Sequence, residues 1–436
     1  MTIDSSWIAC LKEEVPCAFT PRPPFEPNAV FLDGQIRLMC PMSSEALTWD
    51  DYIERQFARH ILLHLKRPRV SCVILAFDDY AHVPAAKSMT QAKRRRHLPP
   101  VTVHARDALP PVVPQGAEWQ QCISNRTFKS KVIELVIYKL TSTLRLGEGQ
   151  SLIVDYQGHP VQYTAAGMHT GVPMTGLAPL GEADVKFVRY ATMFEKLQVD
   201  SIDGDSVPIA LLHMERTGGM QGNISVLRLE TRLKGSSSTA DKGAKRARPG
   251  PSRVYEYVNI GLLFATLREH VIPQCLGRTP MRMHQGHEIA MLVSLIGLSG
   301  TDFTRGIPLV SGKTIYELLP NLWLRLAVAY NTETRQLDPD VALNTVLATI
   351  YQRKFEKHTK LTGNNIDDVL EALQASSLSE KTRGLIPSKA VLHCTVRNTN
   401  WLLRYWLDEA YPDPVQPQFG FVRGAGTGSA VRYEIE

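Results

Sequence analysis

No C-x-x-C pair occurs among the seven cysteines of this chain, and an odd number cannot close completely into disulfides. That argues against both a disulfide framework and a zinc ribbon, and a reducing compartment is expected. No apolar run approaches the length that spans a bilayer, and the first residues lack the basic-then-apolar order of a secretory signal. Neither membrane anchoring nor secretion is expected. No internal repeat is present. Charged residues make up only 21% of the chain against 44% hydrophobic ones, which is neither the polar excess of a disordered chain nor a fibre's composition. At 436 residues the length allows two domains or one elaborated core.

What is present is basic charge in clusters and acidic charge at regular structural positions. The net charge of +6 favours a nucleic-acid partner only weakly, but basic residues concentrate at 93–96, 126–131, 242–248 and 353–360. The carboxylates are more informative. Residues 181–205 carry two acid-x-acid pairs, Glu182 with Asp184 and Asp203 with Asp205, joined by one helix-length run and one apolar rise, Leu197-Gln198-Val199. Alternate acids on an extended backbone share a side, which suits a hard cation and is costly without one. Such pairs taken alone are most often solvated loop ends. Other carboxylates change the balance.

Prolines 16, 21, 23, 24 and 27 predict an extended first segment, up to the buried-strand pattern Ala29-Val30-Phe31-Leu32 that stops at Asp33-Gly34. Thr48 and Asp51 form a capping box for a helix with Ile53, Phe57, Ile61 and Leu65 on one face, ended by Arg67-Pro68. Residues 70–77 read as a second buried parallel strand, ending in Asp78-Asp79. Beyond it lie Lys87 and Lys93 to Arg96, a proline-broken stretch, a helix from about Phe128 to Leu144, a strand over 151–156 and a glycine- and proline-rich stretch over 167–180. Such a long excursion between acid-bearing elements suits a substrate gate. Apolar elements follow at 207–214 and 224–229, then a low-complexity basic loop expected to be disordered, 234–253. A strand at 254–258, helices at 260–269 and 288–298, and the run Gly300-Thr301-Asp302-Phe303 with Arg305-Gly306-Ile307 come next. The remainder alternates helical patterns, and Trp401 to Trp406 is expected to pack as core.

Taken in order, these motifs resemble the flap endonuclease/XPG superfamily of 5′ nucleases. Its pattern is a strand-end aspartate (Asp33), an apolar strand ending in F-D (Phe77-Asp78), a basic arch, an E-A-[ED] helix start (Glu182, Asp184), D-x-D (Asp203, Asp205), then G-x-D-[YF] with R-G-I (Asp302, Arg305). No single motif is specific; their order from Asp33 to Ile307 is. The chain departs from the family where Gly306-Ile307 continues into Pro308 and the next glycine is delayed to Gly312, before Lys313.

The resemblance implies an α/β fold with a PIN-like, Rossmann-like, mostly parallel sheet flanked by helices. It implies a catalytic domain over 1–320, a helical arch insertion at about 79–180, and a helical DNA-binding C-terminal region over 321–436. It implies a structure-specific 5′ nuclease that uses two Mg²⁺ ions, with Mn²⁺ as a substitute, on branched or broken DNA in replication, repair or recombination. Asp33, Asp78, Glu182 and Asp184 would hold one ion, and Asp203, Asp205 and Asp302 the other. Lys87 and Arg94 would meet the scissile phosphate, while Lys93, Arg95, Arg96, Arg305 and Lys313 would contact backbone phosphates. A nuclear or other intracellular DNA-replication compartment follows from the same resemblance. An RNA-directed endonuclease on the same scaffold, or a module that binds without cutting, are the alternatives.

Overall fold

The computed structural model describes residues 5–39, 47–79, 109–168, 170–177, 180–201, 203–219, 223–232, 252–276, 285–301, 304, 306–358, 365–407, 421–424 and 432–435. Helix α1 (Ser5–Glu14) comes first, then β1 (Phe19–Thr20), β2 (Ala29–Asp33) and the short α2 (Gly34–Met39). Helix α3 covers residues 49–65 with one π-helical turn at Glu54–Ala58, and leads to β3 (Cys72–Ala76). After residue 109 come α4 (Gly116–Ser124), α5 (Arg126–Thr143), β4 (Ser151–Tyr156), β5 (His159–Thr164) and β6 (Val172–Pro173). Next are α6 (Ala183–Ala191), β7 (Lys196–Asp200), α7 (Ser206–Arg216), β8 (Asn223–Arg232), β9 (Ser252–Asn259), α8 (residues 260–276) and α9 (Glu288–Ser299). Among the helices that follow are α10 (Gly312–Glu317), α11 (Leu319–Ala329) and the long α12 (Lys389–Leu407).

The fold is α/β, with a mostly parallel central sheet between helical layers. Nine strands run in the order β1-β9-β8-β7-β2-β3-β4-β5-β6, and the central β8-β7-β2-β3-β4 pair in parallel. Strands β2 to β4 progress to one side of β2 and β7 lies on its other side. Connections therefore diverge between β2 and β7, where sheets of this kind open a crevice at their C-terminal edge.

Side-chain alternation sorts the sheet into two cores. Ala29, Phe31, Ile74, Ile153 and Val199 face a layer that includes α6, α7, α9 and α12, while Val30, Leu32, Val73, Leu75 and Leu152 face α3, α4 and α5. An aromatic cluster of Trp49, Tyr52, Phe57, Trp119 and Phe128 fills the second core. The capping box at Thr48 and Asp51 forms as the sequence leads one to expect. The extended first segment does not: residues 5–14 are helical, burying Trp7, Ile8 and Leu11. Its prolines begin only at Pro16, too late to oppose a helix with that apolar spacing. Sequence reading also passed over α4 and the β5–β6 extension. The basic loop over 234–253 lies outside the described residues except at its last two positions, which open β9. Among the described residues, no helix is long and apolar enough to cross a membrane.

Helix α9, which leads to Gly300, is anchored by a half-buried acid, Glu215. The Glu215 carboxylate accepts the Ile289 N–H at 2.6 Å and the Ala290 N–H at 3.0 Å, the first donors of α9. Burial pushes this carboxyl up to about 7, against the pull of those two N–H groups. An acid raised in the folded state contributes stability that is full below its unfolded value of 4.5 and lost as pH climbs to about 7. Urea titrations should show wild type losing on the order of 2 kcal/mol relative to Glu215→Gln between pH 5 and pH 8. Parallel pH profiles for the two proteins would contradict this assignment.

Candidate functional site

Each of the adjacent parallel strands β7, β2, β3 and β4 delivers an aspartate to the same edge of the sheet. Asp33 pairs in register with Ala76, and Ala76 with Asp155, so one row crosses three strands. Asp78 lies two residues past Ala76. By alternation Asp33, Ala76, Asp78 and Asp155 belong to the face that α6 covers. Asp200 pairs with Leu32 and so points to the opposite face.

Three of the sequence-identified acids come together. Asp33 is buried at the end of β2, and its Oδ1 accepts the N–H groups of Gln35 at 2.8 Å and Ile36 at 3.2 Å. Burial, followed by the nearby charges of Asp184 and Asp78, holds the Asp33 carboxyl well above the usual carboxylate range; it also shares a hydrogen bond with Asp184. Asp78 Oδ1 accepts the Ala183 N–H at 3.1 Å, and the Asp79 N–H donates to the Gly181 carbonyl at 2.6 Å. These contacts stitch the end of β3 to the start of α6. Glu182, Asp184 and Asp79 are buried there as well. On the other face of the sheet, the start of α2 packs closely on the residue before Asp78: a Cβ at Gly34 would stand 2.5 Å from the Phe77 ring.

Asp203 and Asp205 occupy the turn from β7 into α7, leaving the sheet beside Asp33. Asp203 Oδ1 accepts the Asp205 N–H at 3.2 Å; Asp205 is buried at the start of α7 and Asp203 is half-buried. Lys313 is exposed in the first turn of α10, 3.8 Å from Glu317. Lys87, Lys93, Arg94, Arg95, Arg96, Asp302 and Arg305 lie outside the described residues, as does most of the first half of the expected arch.

The residues flanking Asp302 and Arg305 are tied to the end of α9. Thr301 and Thr304 are buried, the Thr304 hydroxyl donates to the Gly297 carbonyl at 2.9 Å, and the Ile307 N–H donates to the Leu298 carbonyl at 2.8 Å. Gly300 has φ +106°, and a Cβ on Gly306 would fall 2.1 Å from the Ser299 carbonyl oxygen. Backbone cannot yield there as a flexible side chain would. Gly306→Ala should therefore lose about 3 kcal/mol of unfolding free energy in urea; unchanged stability would mean that the turn is looser than this close approach implies.

Two polar groups beside the site escaped the sequence reading. Asp155 is fully buried, holding Lys186 Nζ at 2.8 Å and the Tyr190 hydroxyl at 2.7 Å, with Arg189 Nη1 at 3.6 Å. Asp200 on the other face meets His64 Nε2 at 3.1 Å and the Gln198 amide at 2.6 Å. Asp155 ends an apolar strand just as Asp33 does, a signal that was present. Its cationic partners, 31 or more residues further along the chain, gave none.

Among the described residues, no group of three or more His, Cys, Asp or Glu side chains is already spaced to hold a metal ion. Asp33 and Asp184 meet each other instead. The donor set nevertheless fits a hard divalent cation: oxygen ligands from three separate segments, crowded into a buried edge where their like charges oppose one another. A scan of the chain against protein families finds no match, and no curated protein matches it either.

Proposed function

We propose that this chain is a divalent-cation-dependent, structure-specific 5′ nuclease built on a PIN-like domain, with branched or broken DNA as its substrate. One observation carries the reading. Acids that are far apart in sequence, Asp33, Asp78 and Asp184, press together at the C-terminal edge of a parallel sheet, beside its switch point. The ordered motifs from Asp33 to Ile307 supply the rest.

When bound, Mg²⁺ supplies an activated water and stabilises the leaving oxygen of the phosphodiester. Asp33, Asp78, Glu182 and Asp184 would hold one ion, and Asp203, Asp205 and Asp302 the second. Lys87 and Arg94 would bind the scissile phosphate and stabilise the charge that develops on it. Lys93, Arg95, Arg96, Arg305 and Lys313 would grip backbone phosphates without reading bases, so binding should weaken steeply with salt and tolerate any sequence.

The test is a panel of end-labelled flap, nicked, duplex and single-stranded substrates, in DNA and RNA, with Mg²⁺, Mn²⁺ or EDTA. Branched DNA should be cut near its junction with either ion and not in EDTA. Cleavage confined to RNA would replace the substrate class. Binding of branched DNA without cleavage at saturating Mg²⁺ and Mn²⁺ would overturn the nuclease reading.

A further inference from the structure

Four polar side chains sit buried directly behind the acid pocket, and the chemistry above gives them no part. They are Asp155 at the end of β4 and Lys186, Arg189 and Tyr190 on α6. Lys186 Nζ donates to Asp155 Oδ1 at 2.8 Å, to the Asp155 carbonyl at 3.3 Å and to the Phe77 carbonyl at 2.8 Å. The Tyr190 hydroxyl donates to Asp155 Oδ2 at 2.7 Å, and Arg189 Nη1 stands 3.6 Å from the same oxygen. Burial first, and then the Asp155 charge, push the Tyr190 phenol well above its usual range and keep it a donor.

Stability does not explain such a group, because well-packed apolar side chains of similar volume commonly hold two elements together at least as firmly as a buried ion pair. Apolar side chains could not fix a peptide group. Phe77 immediately precedes Asp78; its N–H donates to the Asp155 carbonyl at 3.0 Å and its carbonyl accepts from Lys186. Both sides of that residue are thus tied to this cluster. Lys186 lies one helical turn past Glu182, on the same side of α6, so the bond that orients the Asp78 backbone also sets the start of the helix carrying Glu182 and Asp184. Asp155 faces two cationic side chains, which places an excess of positive charge behind a crowd of carboxylates.

We propose that Lys186 and Asp155 are positioning residues of the acid pocket, holding Asp78 against the start of α6 at the separation a divalent cation requires. This rests on the cation-binding reading above. Outer partners of this kind commonly set metal affinity without touching the metal.

The test compares Mn²⁺ binding by calorimetry with melting temperature in EDTA, on the full chain. The double variant Asp155→Asn/Lys186→Met removes both members of the pair and avoids leaving Asp155 as a lone buried charge. With Arg189 left short of its buried counter-charge, it should melt about 10 °C below wild type yet still fold, and bind Mn²⁺ about 10- to 100-fold more weakly. A folded double variant with wild-type Mn²⁺ affinity overturns the proposal. If the double variant does not fold, Tyr190→Phe decides: it removes one hydroxyl from Asp155, weakened Mn²⁺ binding supports the proposal and unchanged binding overturns it. A wild-type protein that binds no Mn²⁺ would instead refute the cation site itself.

Discussion

Asp33→Asn is expected to melt higher than wild type in EDTA and to be inactive in Mg²⁺. The two effects have one cause. Without a cation, Asp33 is buried beside Asp184 and Asp78, and its carboxyl is pushed well up the pH scale by burial and by their charges. An acid raised in this way stabilises the fold at low pH and loses that contribution as pH rises through its folded-state value. Asparagine preserves an acceptor for the Gln35 and Ile36 N–H groups, offers Asp184 a donor and carries no charge. Relief of this repulsion should raise the melting temperature in EDTA by about 2–4 °C, and by more at pH 8 than at pH 5. In the proposed site the same change removes a cation ligand, so cleavage should fall by on the order of 10³-fold. Scanning calorimetry at the two pH values, beside a single-turnover assay, checks both halves. A variant that melts lower in EDTA at both pH values would show that Asp33 is a structural acid.

Asp203→Asn should be equally inactive for a different reason and without the stability gain. Asp203 is half-buried on the turn after β7, with Oδ1 3.2 Å from the Asp205 N–H. Asparagine can accept that bond, so unfolding free energy should stay within about 0.5 kcal/mol of wild type, as for most substitutions at such positions. Mg²⁺-dependent cleavage should be abolished while affinity for branched DNA, which the proposal assigns to basic residues elsewhere, stays within a few-fold. Gel-shift and cleavage assays on one flap substrate separate the two. Normal turnover in this variant would remove Asp203 from the metal set.

How much of this could be read from the sequence depends on whether the signal was local. Asp33 and Asp78 each close an apolar strand, and Asp184 opens a helix beside Glu182; those positions follow from patterning alone, and the sheet then brings them together. The first segment departs from the extended expectation because Trp7, Ile8 and Leu11 have helical spacing ahead of the prolines, which begin only at Pro16. The β4–β5 hairpin was missed although Gln157-Gly158, with φ values of 54° and 74°, forms the tight left-handed turn that such a pair of strands needs. Lys186 was out of reach in principle: a lysine among Asp184, Val185 and Phe187 reads as a solvated helix position, and only the tertiary fold puts it against Asp155.

The central claim is that the acids at the C-terminal edge of β2, β3 and β7 hold divalent cations, and diffraction from crystals soaked in Mn²⁺ tests it most directly. Two anomalous peaks about 4 Å apart are expected, one bonded to Asp33, Asp78 or Asp184 and the other to Asp203, Asp205 or Asp302. Saturating Mn²⁺ with no peak at that edge would contradict the account.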